Sequence, residues 1–212
     1  MSAKQKKTYP AIALIEFNNL ADGITAGDAM VKKAPIAMLK AGTVSQGKYL
    51  VLIGGSTASV DESYREGLQV GGHSVVDSLL LPDVHPQVHG AVLGERRACH
   101  SHALAVVETR TVAAIIQAAD AGVKGAHVDI VEMRLADGYG GKGYVLFTGK
   151  VEEVEAAVEI GLSSLGDRRA AVSSRIIPAL DEKMAREIET GLRFAHSQKM
   201  DLPDGEVPDE IG

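Results

Sequence analysis

At 212 residues the chain has room for one large domain or two small ones. A net charge of −6, with aromatics at 4% and no Trp, excludes a basic, aromatic-lined nucleic-acid platform. The lone cysteine, Cys99, excludes an internal disulfide and fits a reducing cytosol, and no apolar run approaches the length of a membrane span.

The opening Met1–Pro10 is basic and lacks the apolar core of a secretion signal, so residues 1–9 are expected to be a loose arm. Ala11–Phe17 is a short apolar run bounded by Pro10 and Asn18-Asn19, which predicts a strand. Leu20, Ile24, Met30, Val31 and Ala34 recur at helical spacing until Pro35 stops them. Ile36–Leu39 and Tyr49–Ile53 read as strands. Ser59–Leu68 reads as a second helix opening on a capping-box pattern, Ser59 with Glu62. Ser74–Leu81 reads as a fourth strand, followed by Pro82 and a short helical segment. Gly90–His102 is polar and reads as a linker.

The order then repeats. Ala103–Thr109 reads as a strand, and Val112, Ile115, Ile116, Ala119 and Val123 form one helical face. Val128–Leu135 and Tyr144–Phe147 read as strands, and Val151, Val154, Val158 and Leu162 as the stripe of another helix. Ala170–Ile177 and Pro178 close the copy, and an acidic tail with two prolines, Asp201–Gly212, is expected to be disordered. Single positions recur in register: Glu16 with Glu108, Asp28 with Asp120, Lys32 with Lys124, Lys48 with Lys142, Gly55 with Gly149 and Pro82 with Pro178. Self-similarity over this length marks a duplicated domain. The expected fold class is α+β, each half β-α-β-β-α-β plus a terminal helix, a ferredoxin-like variant with helices on one face of the sheet. The expected domains are residues 10–93 and 103–194, with flexible tails at 1–9 and 197–212.

The chemistry-bearing residues are sparse. Gly138-Tyr-Gly-Gly-Lys142-Gly lacks the P-loop spacing and leads into a strand, whereas a phosphate loop opens a helix. Gly54-Gly55-Ser56 precedes a helix and reads as a plain turn rather than an anion cup. His85 and His89 are four apart, with no Glu placed between them as a zinc protease requires, and read as a solvated surface pair. Cys99, His100 and His102 are metal-ligand types in a linker without a second ligand cluster. Glu16, Glu108, Asp28 and Asp120 are two copies of two positions rather than a catalytic pair, and are expected in helix-surface pairs or on neighbouring backbone. No nucleophile–base spacing is present, so no enzyme activity is expected.

Glu108-Thr109 followed by Ala119-Asp120-Ala-Gly-Val-Lys124-Gly-Ala126, and Asp28-Ala-Met-Val-Lys32-Lys-Ala34 in the first copy, resemble the signature of the bacterial microcompartment (BMC) shell domain. The first copy departs at Phe17, where the signature has Thr. The resemblance covers about residues 10 to 190 and points to the unpermuted tandem-domain type, of which the propanediol-utilisation trimers are an example. It implies a homotrimer imitating a hexamer, a flat tile with a central pore for small metabolites, in a microcompartment shell in the cytoplasm. Its implied partners are hexameric and pentameric shell proteins and encapsulated enzymes, with no nucleic acid, no membrane and no cofactor. Lys32 and Lys124 occupy the position that in the family lies at the tile edge. The second-to-third-strand loops line the pore in the family; here they supply Thr43, Val44, Ser45, Gln46 and Gly47 from one copy, and Asp137, Gly138, Tyr139 and Gly140 from the other. The second loop is two residues longer, which implies a three-fold rim. Some relatives carry an iron–sulfur cluster on a cysteine of the first loop. Ser45 stands there instead, and a hydroxyl is a poor cluster ligand. The alternative readings are an electron-transfer protein using Cys99 and the nearby histidines, and a small-molecule-binding regulatory trimer.

Overall fold

The computed structural model describes residues 9–99, 103–200 and 202. The expected arm at 1–8, His100, His102 and most of the acidic tail lie outside the described residues. The first half contains β1 (Ala11–Phe17), α1 (Leu20–Lys33), β2 (Met38–Thr43), β3 (Tyr49–Gly55), α2 (Thr57–Gly71), β4 (Val75–Leu81) and α3 (Pro86–Val92). The second half repeats the order as β5 (Ala103–Thr109), α4 (Val112–Gly125), β6 (Asp129–Leu135), β7 (Gly143–Gly149), α5 (Val151–Ser163), β8 (Ser173–Ile177) and α6 (Glu182–Thr190). Each half is an antiparallel four-stranded sheet, in the orders β2-β3-β1-β4 and β6-β7-β5-β8.

The strand β1 lies inside its sheet and is buried along its whole length, so both of its faces are apolar. Alternation divides them. Ala11, Ala13, Ile15 and Phe17 pack with Ala26 and Met30 of α1 and Val60 of α2, whereas Ile12 and Leu14 join Val84 and Val88 near the terminal helix. Each fully buried large side chain contributes about 1.5–3 kcal/mol relative to exposure. The terminal helices α3 and α6 therefore cover the face opposite the paired helices, which corrects the expectation of helices on one face only. The residues Ile12 and Leu14, and in the second half Leu104 and Leu146, demand that second cover.

Several boundaries move. The strand β2 runs on to Thr43, because its ladder with β3 continues through Gly42↔Leu50 and Thr43↔Tyr49. The helix α2 is capped by Ser56, which accepts from the Ser59 N–H at 3.3 Å, so Ser59 lies inside the helix and is not its cap. Residues Gly166–Ala171 form a 3-10 segment, and β8 begins only at Ser173. The strand β6 carries a bulge between Ile130 and Glu132 that β2 lacks.

The duplicated halves differ most in how their helix pairs meet. In the first, Met30 lies over Gly67. In the second both corresponding positions are glycine: a Cβ on Gly122 would sit 2.9 Å from the Ala157 carbonyl oxygen, and one on Gly161 2.7 Å from that of Ala118. The helices α4 and α5 thus approach backbone to backbone.

Candidate functional site

The two halves share one continuous core cluster. Leu14, Leu52 and Val88 of the first pack with Ile116, Val123 and Met133 of the second. Polar contacts close the rim of this seam. The fully buried carboxylate of Glu16 accepts from the Ala113 N–H at the N-terminus of α4, at 2.7 Å, and pairs with Lys48 at 3.4 Å. The positive end of the helix favours a charge there, yet burial raises the Glu16 pKa on balance, against the Ala113 hydrogen bond and Lys48. Further out, Asp120 accepts from the His85 N–H at 2.8 Å and pairs with Lys124 at 2.6 Å, and Lys124 also donates to the Asp83 carbonyl. Asp77 binds Arg168 at 3.1 Å and accepts from the Thr111 hydroxyl.

The predicted loop residues gather at one end of this seam. Thr43 ends β2, and Val44 packs against the shared core. Ser45 Oγ accepts from the Gly138 N–H at 3.0 Å, joining the two loops. Gln46 is held at φ 67°, and its side chain meets Gly141; Gly47 follows at φ 69°. Lys48 donates to the Gly141 carbonyl at 3.2 Å, so a single ammonium spans the buried Glu16 and the second loop. The longer loop needs left-handed backbone at Ala136, Gly138, Gly140 and Gly141, which explains its glycines. Asp137 is exposed, with Arg193 at 3.8 Å. Tyr139 turns back into its own half, edge-on to Tyr144 at 5.1 Å. Tyr144 donates to Glu132 at 2.5 Å, and burial, then Glu132, push its phenol well above its usual range.

The structure separates the two lysines predicted at equivalent positions. Lys32 pairs with Asp28 on an open helix surface, at 2.5 Å, with 72% of its side chain exposed. Lys124 sits at the rim of the seam with 39% exposed.

The histidine pair is corrected. His85 caps α3, its Nδ1 accepting from the Gln87 N–H at 3.3 Å, and His89 is buried beside Tyr9 rather than solvated. Cys99 is buried, and desolvation with the nearby Glu189 raises its thiol pKa, which keeps it protonated at neutral pH. Among the described residues no three of His, Cys, Asp and Glu converge as metal ligands, and no helix is long and apolar enough to cross a membrane. Sequence reasoning did not assign roles to Lys48, Asp77 or Arg168. The recurrence of Lys48 as Lys142 was the available signal for the first; nothing in the sequence marks the other two.

Residues 11–84 and 103–180 each match the BMC domain family. The chain belongs to that family. It is 37% identical over 181 residues to the bacterial microcompartment shell protein PduT of Citrobacter freundii, covering 85% of this chain and 98% of the relative. Among solved structures it resembles a microcompartments protein from Desulfitobacterium hafniense DCB, with a TM-score of 0.73 and 40% identity over 83% of this chain and 98% of that one. The fold alone is shared with the double-ringed trimeric shell protein MSM0271 of the RMM microcompartment, at a TM-score of 0.55 and 17% identity over 74% of this chain and 84% of that one.

Proposed function

We propose that the chain is a structural tile of a bacterial microcompartment shell: a homotrimer of tandem domains (10–93 and 103–194) that imitates a hexamer and leaves a pore for small metabolites on its axis. The observation that carries this reading is a mismatch in cover between equivalent surfaces. On α4, Val112, Ile116 and Val123 are buried in the seam. The equivalent α1 residues Leu20, Ile24 and Val31 are 47%, 51% and 45% exposed. The matching face holds a groove of about 900 Å³ lined by Leu104, Val106, Leu146, Met184 and Ile188, of which Met184 is exposed and Val106 partly so. It corresponds to the face of the first half that α4 covers together with α3. A stripe and a groove that correspond by the repeat register to the two sides of the internal seam, but lie in different halves of one chain, would make a head-to-tail contact between chains, which closes into a ring if the rotation permits. Two seams per copy then give six similar wedges from three chains.

In this ring the loops Thr43–Gly47 and Asp137–Gly140 meet on the axis, with Ser45, Gln46 and Asp137 making its rim polar. Lys32 and Lys124 lie where the seams run out to the tile edge, and their exposed ends offer contacts that are individually weak but repeat along each side. The partners are hexameric and pentameric shell proteins, with metabolites passing the pore, and the role is structural, not catalytic. Electron microscopy of the purified chain, alone and mixed with a hexameric shell protein, tests this. Hexagon-like discs that enter a shared lattice are expected; dispersed single chains that never join one would overturn the tile. Substituting Asp137 should change solute passage without stopping assembly.

A further inference from the structure

We infer that Glu108, Lys142, Asp28 and Lys32 form a polar latch to a second copy of this chain, repeating across the boundary between copies what Glu16, Lys48, Asp120 and Lys124 do inside one. The inference rests on the trimer reading and assigns the residues that would hold its boundary.

The register of the duplication supplies the partners. Ala113, whose N–H Glu16 accepts, corresponds to Ala21 in the first turn of α1. In α4 the cap Thr111 serves the next N–H, that of Ala114, and in α1 Asn19 serves the next N–H, that of Asp22. The helix end that would receive Glu108 is thus built like the one that receives Glu16. Glu108 pairs with Tyr144 in the β5–β7 ladder as Glu16 pairs with Leu50 in β1–β3, so the carboxylate leaves the sheet at the same place and on the same side. Glu108 is only half-buried, and among the described residues neither it nor Lys142 has a side-chain hydrogen bond or ion pair. Lys48 reaches the Arg110 and Gly141 carbonyls; by the same register Lys142 reaches Asn18 and Gly47 of the second copy, holding its pore loop.

The second contact follows the same rule. Asp120 accepts from the His85 N–H, and Lys124 donates to the Asp83 carbonyl. Their equivalents are the Asp181 N–H and the Ala179 carbonyl, both on the lip of the open groove. Asp28 and Lys32 are already paired with each other, as Asp120 and Lys124 are, and are exposed on the helix whose apolar stripe lacks a cover. One contact has no counterpart: the position equivalent to Asp77 is Ser173, opposite Glu108, so the Asp77–Arg168 pair is confined to the internal seam.

The test is sedimentation of the full chain across a dilution series, with Glu108→Ala, Glu108→Gln and Asp28→Asn beside the wild type. The expected result is a trimer whose dissociation midpoint rises about tenfold or more in Glu108→Ala, the size of losing one charge-assisted hydrogen bond. Recovery is expected in Glu108→Gln, which keeps an acceptor for the Ala21 N–H, and a smaller rise in Asp28→Asn. The melting temperature of the dissociated chain should stay at the wild-type value. A trimer that none of these substitutions weakens overturns the latch and leaves the tile standing. A fall in the melting temperature of the single chain would place Glu108 in a contact within one copy and also overturn it. A wild-type chain that is monomeric at every concentration would overturn the trimer reading itself.

Discussion

The internal seam and the open surface that duplicates it carry nearly the same residues and differ in what covers them. Glu16 is fully buried against the start of α4, while Glu108 is half-exposed and unpaired among the described residues. Ile116 is fully buried, and its counterpart Ile24 is half-exposed. Joining two copies in one chain covers only one of the surfaces each copy presents; the equivalent α1 stripe stays exposed on the single chain. The helix pairs teach a related lesson. Where Met30 fills the gap over Gly67 in the first half, the second half closes it by bringing backbones together at Gly122 and Gly161. The same fold thus tolerates two solutions of one packing problem.

The comparison can be broken most sharply at the buried carboxylate. Glu16→Ala should lower the unfolding free energy of the single chain by about 3 kcal/mol in urea, since it leaves the buried Ala113 N–H without its acceptor and Lys48 with carbonyl partners alone. Glu108→Ala, measured at a dilution that keeps chains apart, should fall within about 0.5 kcal/mol of wild type. Next comes Gly161→Ala, expected to cost about 2 kcal/mol, because the new methyl meets the rigid Ala118 carbonyl. Gly67→Ala meets the ends of the Met30 and Ile15 side chains rather than backbone, and its helix-propensity gain of about 1 kcal/mol offsets part of the clash, so its melting point should fall by less than that of Gly161→Ala. If the two glycine variants lose equal stability, the helix pairs are not packed differently. Ser45→Ala should make the Gly138 amide exchange about fivefold faster, since it removes the hydrogen bond between the two loops.

The smallest effect expected is a pH dependence. Burial raises the Glu16 pKa, so the folded chain holds that proton more tightly than the unfolded chain. Its contribution to stability is then fully present below the ordinary carboxylate range and is lost as pH rises through the raised value. Denaturant midpoints of wild type against Glu16→Gln over pH 4 to 7, in about unit steps, should show this relative loss. A wild type that gains on the variant with rising pH would mean that the Lys48 and Ala113 contacts outweigh burial.

Much of this was legible in the residues. The doubled order of elements, the α+β class and the resemblance to the shell domain rest on patterns that survive without coordinates: Ala11–Phe17 against Ala103–Thr109, and Asp28–Lys32 against Asp120–Lys124. Boundaries were less so. Thr43 continues a strand only because Tyr49 stands across from it, and Ser56 rather than Ser59 caps α2 because the β3 ladder ends at Gly55. The histidines misled, since spacing gives no burial: His89 is enclosed by a helix and by Tyr9, neither of which a four-residue interval reveals.

The sequence by itself determined that two like domains would form, because apolar periodicity is a property of neighbouring residues and is written locally. Only the tertiary structure decided which of two equal faces is buried. A stripe such as Leu20, Ile24 and Val31 states that cover is needed. Whether the cover comes from the same chain or another depends on where the linker lets the second domain dock, which no local pattern records. The same holds for charge. Glu16 and Glu108 occupy one position of the repeat, and only the arrival of a helix N-terminus over the first turned it from a solvated carboxylate into a buried clasp.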